Sequence, residues 1–213
     1  MKWEELLKTV GDEVVFSSSL LLAGTHTKAA VQLQLSRWVK AGKIIKLRKG
    51  LYMLGYPYRK REPHPFLLSN RIKKASYISM QSALSLYGMI PEYVPAVTAV
   101  TTQRPETMIT EAGTFIYRHV QKSLFSGYTF MELSAGQSAF IAVPEKCLLD
   151  LIYLTTEGDT GSYIQELRLQ NLEILDLSRL SEMAAATGSL KLQRAAAEIV
   201  RLAAIEGEEY QEL

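Results

Sequence analysis

Apolar residues along the first forty positions recur at helical spacing, and the period then shortens. Trp3, Leu6, Leu7 and Val10 lie three or four residues apart and are followed by Gly11, so the chain opens with an amphipathic helix and its stop. Val14, Val15 and Phe16 make a short β-type run. Ser18 or Ser19 then caps a brief helix over residues 20–23 that ends at Gly24, and Thr25 or Thr27 caps the next helix, which runs to Ala41. At about 100° per residue, Val31, Leu35, Trp38 and Val39 share one arc of that helix. Ala29, Leu33, Ser36, Arg37 and Lys40 fall on the opposite side.

Past Gly42 the pattern becomes that of strands. Ile44-Ile45 and Leu51-Tyr52-Met53-Leu54 are two apolar runs separated by the turn Lys49-Gly50. Arg37, Lys40, Lys43, Lys46, Arg48 and Lys49 lie along the helix end and the ribbon. A helix, a glycine stop and a cationic hairpin form the pattern of a winged helix-turn-helix, whose helix reads the major groove of a DNA duplex while the ribbon meets its phosphates. On the outer helix face Leu33 suits a thymine methyl, small Ser36 permits close approach, and Arg37 and Lys40 suit guanine edges or phosphate. Gln32 flanks this face, and Lys28 with His26 lies at its start. The competing reading makes these charges the solvated side of an ordinary packed helix.

Residues 55–66 hold Pro57, Pro63 and Pro65, which restrict the chain to extended conformations. The expected organisation is therefore a winged helix-turn-helix over residues 1–56, a linker over 57–66 and a mixed α+β domain over 67–213 with a helical C-terminal part. Arg59, Lys60 and Arg61 in the linker read equally as a solvated charge run or as followers of the phosphate backbone. Beyond it, helices are expected over residues 67–74 and 80–87, the second started by Ser79. Strands are expected over 97–102, 108–110, 115–119, 128–133 and 140–143. Pro144, Glu145 and Lys146 open a helix, with Lys146 and Asp150 as an i,i+4 pair. Further helices are expected over 163–169, 177–187 and 190–205.

Charge sharpens the division. Residues 1–74 carry 15 Lys/Arg against 5 Asp/Glu, whereas the remainder carries 9 against 17. A basic first part and an acidic second part point to polyanion binding in the first. One cysteine, Cys147, cannot staple a fold, and acids at Glu4 and Glu5 interrupt any leader-like apolar run. The uncharged stretch 75–91 contains Ser76, Ser79, Gln81 and Ser82 and reads as a buried helix, not a membrane span. A cytoplasmic protein without a membrane partner is expected.

Catalytic signatures fail on spacing. The chain has no Asp-x-Lys, Glu-x-Lys or Gln-x-Lys, as a restriction-type nuclease requires, and no Asp-x-Asp or Asp-x-Glu for a two-metal nucleotidyltransferase. His26, His64 and His119 stand far apart without cysteine pairs, so no metal site is expected, and no phosphate-binding glycine loop suggests a cofactor. No enzymatic activity is expected.

Three blocks carry a family resemblance: residues 42–54 (GKIIKLRKGLYML), residues 77–102 (YISMQSALSLYGMIPEYVPAVTAVTT), and the stretch from Gly113-Thr114-Phe115 through Ile141-Ala142-Val143-Pro144-Glu145-Lys146 to Asp150-Leu151-Ile152-Tyr153. In these the chain resembles the antitoxins of abortive-infection type IV toxin–antitoxin systems, the AbiEi-like proteins. The resemblance implies a winged-helix repressor of its own operon acting at an inverted-repeat operator in double-stranded DNA. It also implies a C-terminal domain that opposes a nucleotidyltransferase-like toxin without a stable complex, and it marks Glu145 and Lys146 as candidate antitoxin residues. A stand-alone regulator whose second domain senses a ligand or partner, and a nucleic-acid-processing enzyme, remain the alternatives.

Overall fold

The structure, a computed structural model, describes residues 1–22 and 26–209, with side chains described to residue 205. It is mixed α+β, with eight α-helices and two sheets among the described residues. The expected stop Gly24, the alternative cap Thr25 and the end of the brief helix at Ala23 lie outside that range.

Helix α1 (Trp3–Val10) ends where Gly11 takes φ 58° and donates its N–H to Leu7 O at 2.9 Å. Strand β1 (Phe16–Ser17) and a 3₁₀ turn at Leu20–Leu22 follow. Helix α2 (Lys28–Lys40) is capped by Thr27, whose hydroxyl accepts the Ala30 N–H at 3.3 Å. Strands β2 (Ile44–Arg48) and β3 (Leu51–Leu54) complete an antiparallel sheet of order β1-β3-β2.

Both faces of this sheet are covered. Ile44, Tyr52 and Leu54 join Leu6, Val10, Val31, Leu35 and Trp38 in a small core beneath α1 and α2. Leu47, Leu51 and Met53 belong instead to the large core of the rest of the chain, together with Leu68 and Ile72. A β-bulge makes this arrangement possible. Lys46 pairs with Tyr52 and Arg48 with Leu51, so Leu47 is the extra residue and Arg48 is swung to the face that carries Leu51.

The second sheet has six strands in the order β6-β7-β5-β4-β9-β8: β4 (Ser76–Ile78), β5 (Val97–Thr101), β6 (Glu106–Thr110), β7 (Gly113–His119), β8 (Tyr128–Glu132) and β9 (Ser138–Ala142). Central strands β4 and β5 are buried at every position, as strands covered on both faces must be. Helix α3 (Pro65–Ile72) covers one face, where Tyr117 donates its hydroxyl to Ser69 O at 2.9 Å. Helix α5 (Pro144–Leu154) covers the other, where Tyr77 donates to Asp150 at 2.9 Å. Between them in sequence lies α4 (Gln81–Leu86), and α6 (Gly161–Glu166), α7 (Leu177–Ala186) and α8 (Leu190–Glu209) close the chain.

Two expectations need correction. The uncharged stretch 75–91 is not one buried helix, because Ser76–Ile78 forms the strand β4 at the centre of the sheet. Ser79 does not cap α4 either: the residue before that helix is Met80, at φ 56°, and the Ser79 hydroxyl turns inward to Asp150. Several residues of the stretch 57–66 are tied to the body of the chain. Pro65 already starts α3, Tyr58 packs edge-on against Trp3 with centroids 4.8 Å apart, and the Gln137 side chain bonds Glu62 O and the His64 N–H.

Candidate nucleic-acid interface

Burying Val31, Leu35 and Trp38 leaves a continuous outer face on α2. Lys28, Gln32, Leu33, Ser36, Arg37 and Lys40 are all exposed, and Leu33 keeps 55% of its surface open to solvent. Lys28, Arg37 and Lys40 have no ion-pair partner among the described residues. At the helix start His26 Nε2 lies 2.9 Å from Glu5 Oε1, which joins this end of α2 to α1.

The six ribbon and helix-end cations do not form one array. Lys46 is exposed on the sheet face that packs against α2, and Lys49 is exposed at the turn. Gly50 takes φ 80° and accepts the Ser18 N–H at 2.8 Å, so the turn is braced against the end of β1. Lys43 is drawn away, its ammonium 4.9 Å from the Trp3 ring centre and 5.9 Å from that of Tyr58. Arg48 points into a cleft on the opposite side of the sheet. In the following segment Arg59 pairs with Glu62 at 2.8 Å and Lys60 with Asp12 at 2.6 Å, while exposed Arg61 lines the same cleft as Arg48.

That cleft, of about 1320 Å³, was not singled out by the sequence. It lies between residues 10–20 and 48–51 on one side and α3, β8 and β9 on the other. Arg48, Arg61, Arg71 and Lys74 line it, and Phe130 and Phe140 reach it from the outer strands of the sheet. The Arg48 Nε is buried and has no acceptor among the described residues, a situation that costs on the order of 1–3 kcal/mol. Alternation of Tyr128, Phe130 and Phe140 on β8 and β9 was the available signal, but strand pairing was needed to bring them together.

The pair expected at the start of α5 forms, and it is internal. Lys146 hydrogen-bonds Asp150, whose other oxygen accepts from Ser79 Oγ at 2.7 Å and from Tyr77. Burial pushes the Asp150 carboxyl up, while Lys146 and the two hydroxyls pull the other way. The Tyr77 hydroxyl is driven far up by the same burial and by the Asp150 charge. Glu145 is also buried: its Oε1 accepts the Asp176 N–H at 2.9 Å, and Arg179 stands 4.0 Å from Oε2. Neither Glu145 nor Lys146 presents a surface for a partner to touch. Among the described residues no cluster of three or more His, Cys, Asp or Glu side chains is placed to hold a metal ion.

No family model matches the chain, and no curated protein matches it. Among solved structures, the crystal structure of the RV2827C protein from Mycobacterium tuberculosis aligns over 92% of this chain and 80% of its own, at 13% identity and a TM-score of 0.44. Among the described residues no helix is long and apolar enough to cross a membrane.

Proposed function

We propose that this chain is a winged-helix transcriptional repressor that also serves as the antitoxin of a type IV toxin–antitoxin pair. The observation that carries the DNA-binding part is the outer face of α2. It offers Lys28, Gln32, Leu33, Ser36, Arg37 and Lys40 to solvent with no internal ion pair among the described residues, on a helix held by its other face against the three-stranded sheet. Exposed cations with amide and hydroxyl groups between them are the mixture that major-groove reading uses. The reading places α2 in the groove and Lys46 and Lys49 on flanking phosphates. It leaves Lys43, Arg48, Arg59 and Lys60 out of the direct interface, since each is turned elsewhere.

The antitoxin part rests on the family resemblance. Its middle block forms β4, α4 and β5, and its last block contributes β7, β9 and α5, so the resembling residues build the frame of the second sheet. The acidic second part would oppose a nucleotidyltransferase-like toxin without chemistry of its own. Co-expression of the full chain with a nucleotidyltransferase encoded beside it should restore growth. Absence of protection would leave only the repressor.

For the repressor, the full chain is titrated onto labelled duplex from the region upstream of its own gene. Tight, sequence-dependent binding that weakens steeply with salt is expected. Binding no tighter than to a scrambled duplex would remove the repressor reading. A second reading, a regulator whose second part senses a small ligand, is favoured by one observation: the large cleft lies beside the N-terminal sheet.

A further inference from the structure

Five aromatic rings run from the core of the second sheet to its outer edge. Tyr77 stacks on Tyr128 at 4.6 Å with 17° between the planes, and Phe125 leans against both, at 5.1 Å from Tyr77 and 5.3 Å from Tyr128. Tyr128 meets Phe140 edge-on at 5.9 Å, and Phe140 meets its cross-strand partner Phe130 at 5.2 Å. The inner members are buried or half-buried, but Phe140 is 43% exposed and Phe130 63%. The series ends as two open rings on the wall of the cleft.

Two ties fix the segments that bring cations to the same cleft. β4 pairs with β9 only through Ile78 and Ile141, which leaves the N-terminal half of β9 without a strand on that side. Asn70 fills the gap, its Oδ1 accepting the Phe140 N–H at 2.7 Å and its Nδ2 donating to Ser76 O at 3.2 Å. Arg71, the residue after Asn70, and Lys74, two residues before Ser76, both line the cleft that Phe140 lines. Gln137, three residues before Phe140, pins Glu62 and His64 and so places Arg61 nearby.

The charges are available. Neighbouring Lys73 is buried and bonded to Glu106 at 2.8 Å, whereas Arg48, Arg61, Arg71 and Lys74 have no ion-pair partner among the described residues. Against them the cleft sets Asp12 and Glu13, and Asp12 is already neutralised by Lys60. Exposed aromatic residues and unpaired guanidinium and ammonium groups lining one cleft match a ligand that joins a flat ring to an anion.

We propose that the cleft binds a nucleotide, its base stacked on Phe130 and Phe140 and its phosphate held by Arg71 and Lys74, with Arg48 and Arg61 on the opposing side. The site is separate from the outer face of α2 and does not depend on the repressor reading. The ligand is either a free mononucleotide or the nucleotide unit of a single strand.

Isothermal titration of the full chain with AMP, with inorganic phosphate and with a six-residue oligothymidylate tests this. AMP or the oligonucleotide should bind at least tenfold more tightly than phosphate. Tighter binding of AMP identifies the free nucleotide as the ligand, and tighter binding of the oligonucleotide identifies a single strand. The exposed-surface variants F130A and F140A should each lose the advantage over phosphate, and R71A with K74A should weaken all ligands, with unchanged melting temperature in each case. The proposal is overturned if no nucleotide binds, if phosphate binds as well as AMP and the oligonucleotide, or if F130A and F140A bind as tightly as wild type. An apolar protein segment occupying Phe130 and Phe140 would give that last pattern.

Discussion

Lys46 and Arg48 stand two residues apart on one strand and face opposite sides of the sheet. In a regular strand they would share a face. The extra residue Leu47 reverses the second of them, so Lys46 opposes Tyr52 on the side of α2 and Arg48 opposes Leu51 on the side of the cleft. Two cations that look equivalent in sequence therefore serve different surfaces.

This relationship separates their effects on DNA. Replacing Lys46 and Lys49 by alanine should weaken binding to every duplex and flatten the salt dependence by about two units of log–log slope, since each lost phosphate contact removes roughly 0.9. The R48A variant should leave slope and affinity near wild type. Anisotropy titrations at several salt concentrations distinguish the two, and an R48A slope as flat as the double variant's would place Arg48 on DNA after all.

Arg37 should behave as a reader of sequence. Its replacement by alanine is expected to cost about 1–3 kcal/mol on the preferred operator and much less on a scrambled duplex. Equal losses on both would make it a phosphate contact.

Much of this was legible in the chain. The opening helix, the cap Thr27, the buried arc Val31–Leu35–Trp38 and the turn at Lys49-Gly50 follow from local period and turn chemistry, which act over a few residues. Strand β4 was not legible, because its three residues sit next to a helix in one uncharged run and their pairing with β5 and β9 is long-range. The direction of Arg48 depends on a bulge that no residue type announces. The cleft joins residues more than a hundred positions apart, such as Val15 near the start and Phe140 in the acidic part.

Removing the amine of Lys146 should unfold rather than disarm. K146A would leave the Asp150 carboxylate buried with only Tyr77 and Ser79 as donors, and losing one partner of a buried pair costs about 3–5 kcal/mol. A clearly lowered melting temperature is expected. Lost toxin protection with unchanged melting would instead assign Lys146 a direct role in the antitoxin activity.

The start of α3 should be sensitive to mild acid. His64 Nδ1 accepts the Phe66 N–H at 3.1 Å, and burial lowers the pKa of the ring below its ordinary value. The unfolded chain then takes up a proton first, so the contribution of His64 to stability is present above about pH 6.5 and is lost as pH falls toward the folded-state value. Asparagine keeps a cap acceptor without titrating. H64N should therefore lose less melting temperature than wild type between about pH 7 and pH 5, and parallel melting curves for the two would exclude His64 as the sensor.

The N-terminal sheet has no free side. Cutting the chain after residue 62 would strip the cover from Leu47, Leu51 and Met53 and leave a fragment with a bare apolar strip on the sheet face opposite α2. Such a fragment would self-associate, and its apparent affinity for DNA would reflect clustering. The same strip sets a rule for exchange: an N-terminal unit grafted from another protein would join this body only if its ribbon brought matching apolar residues on the inward face.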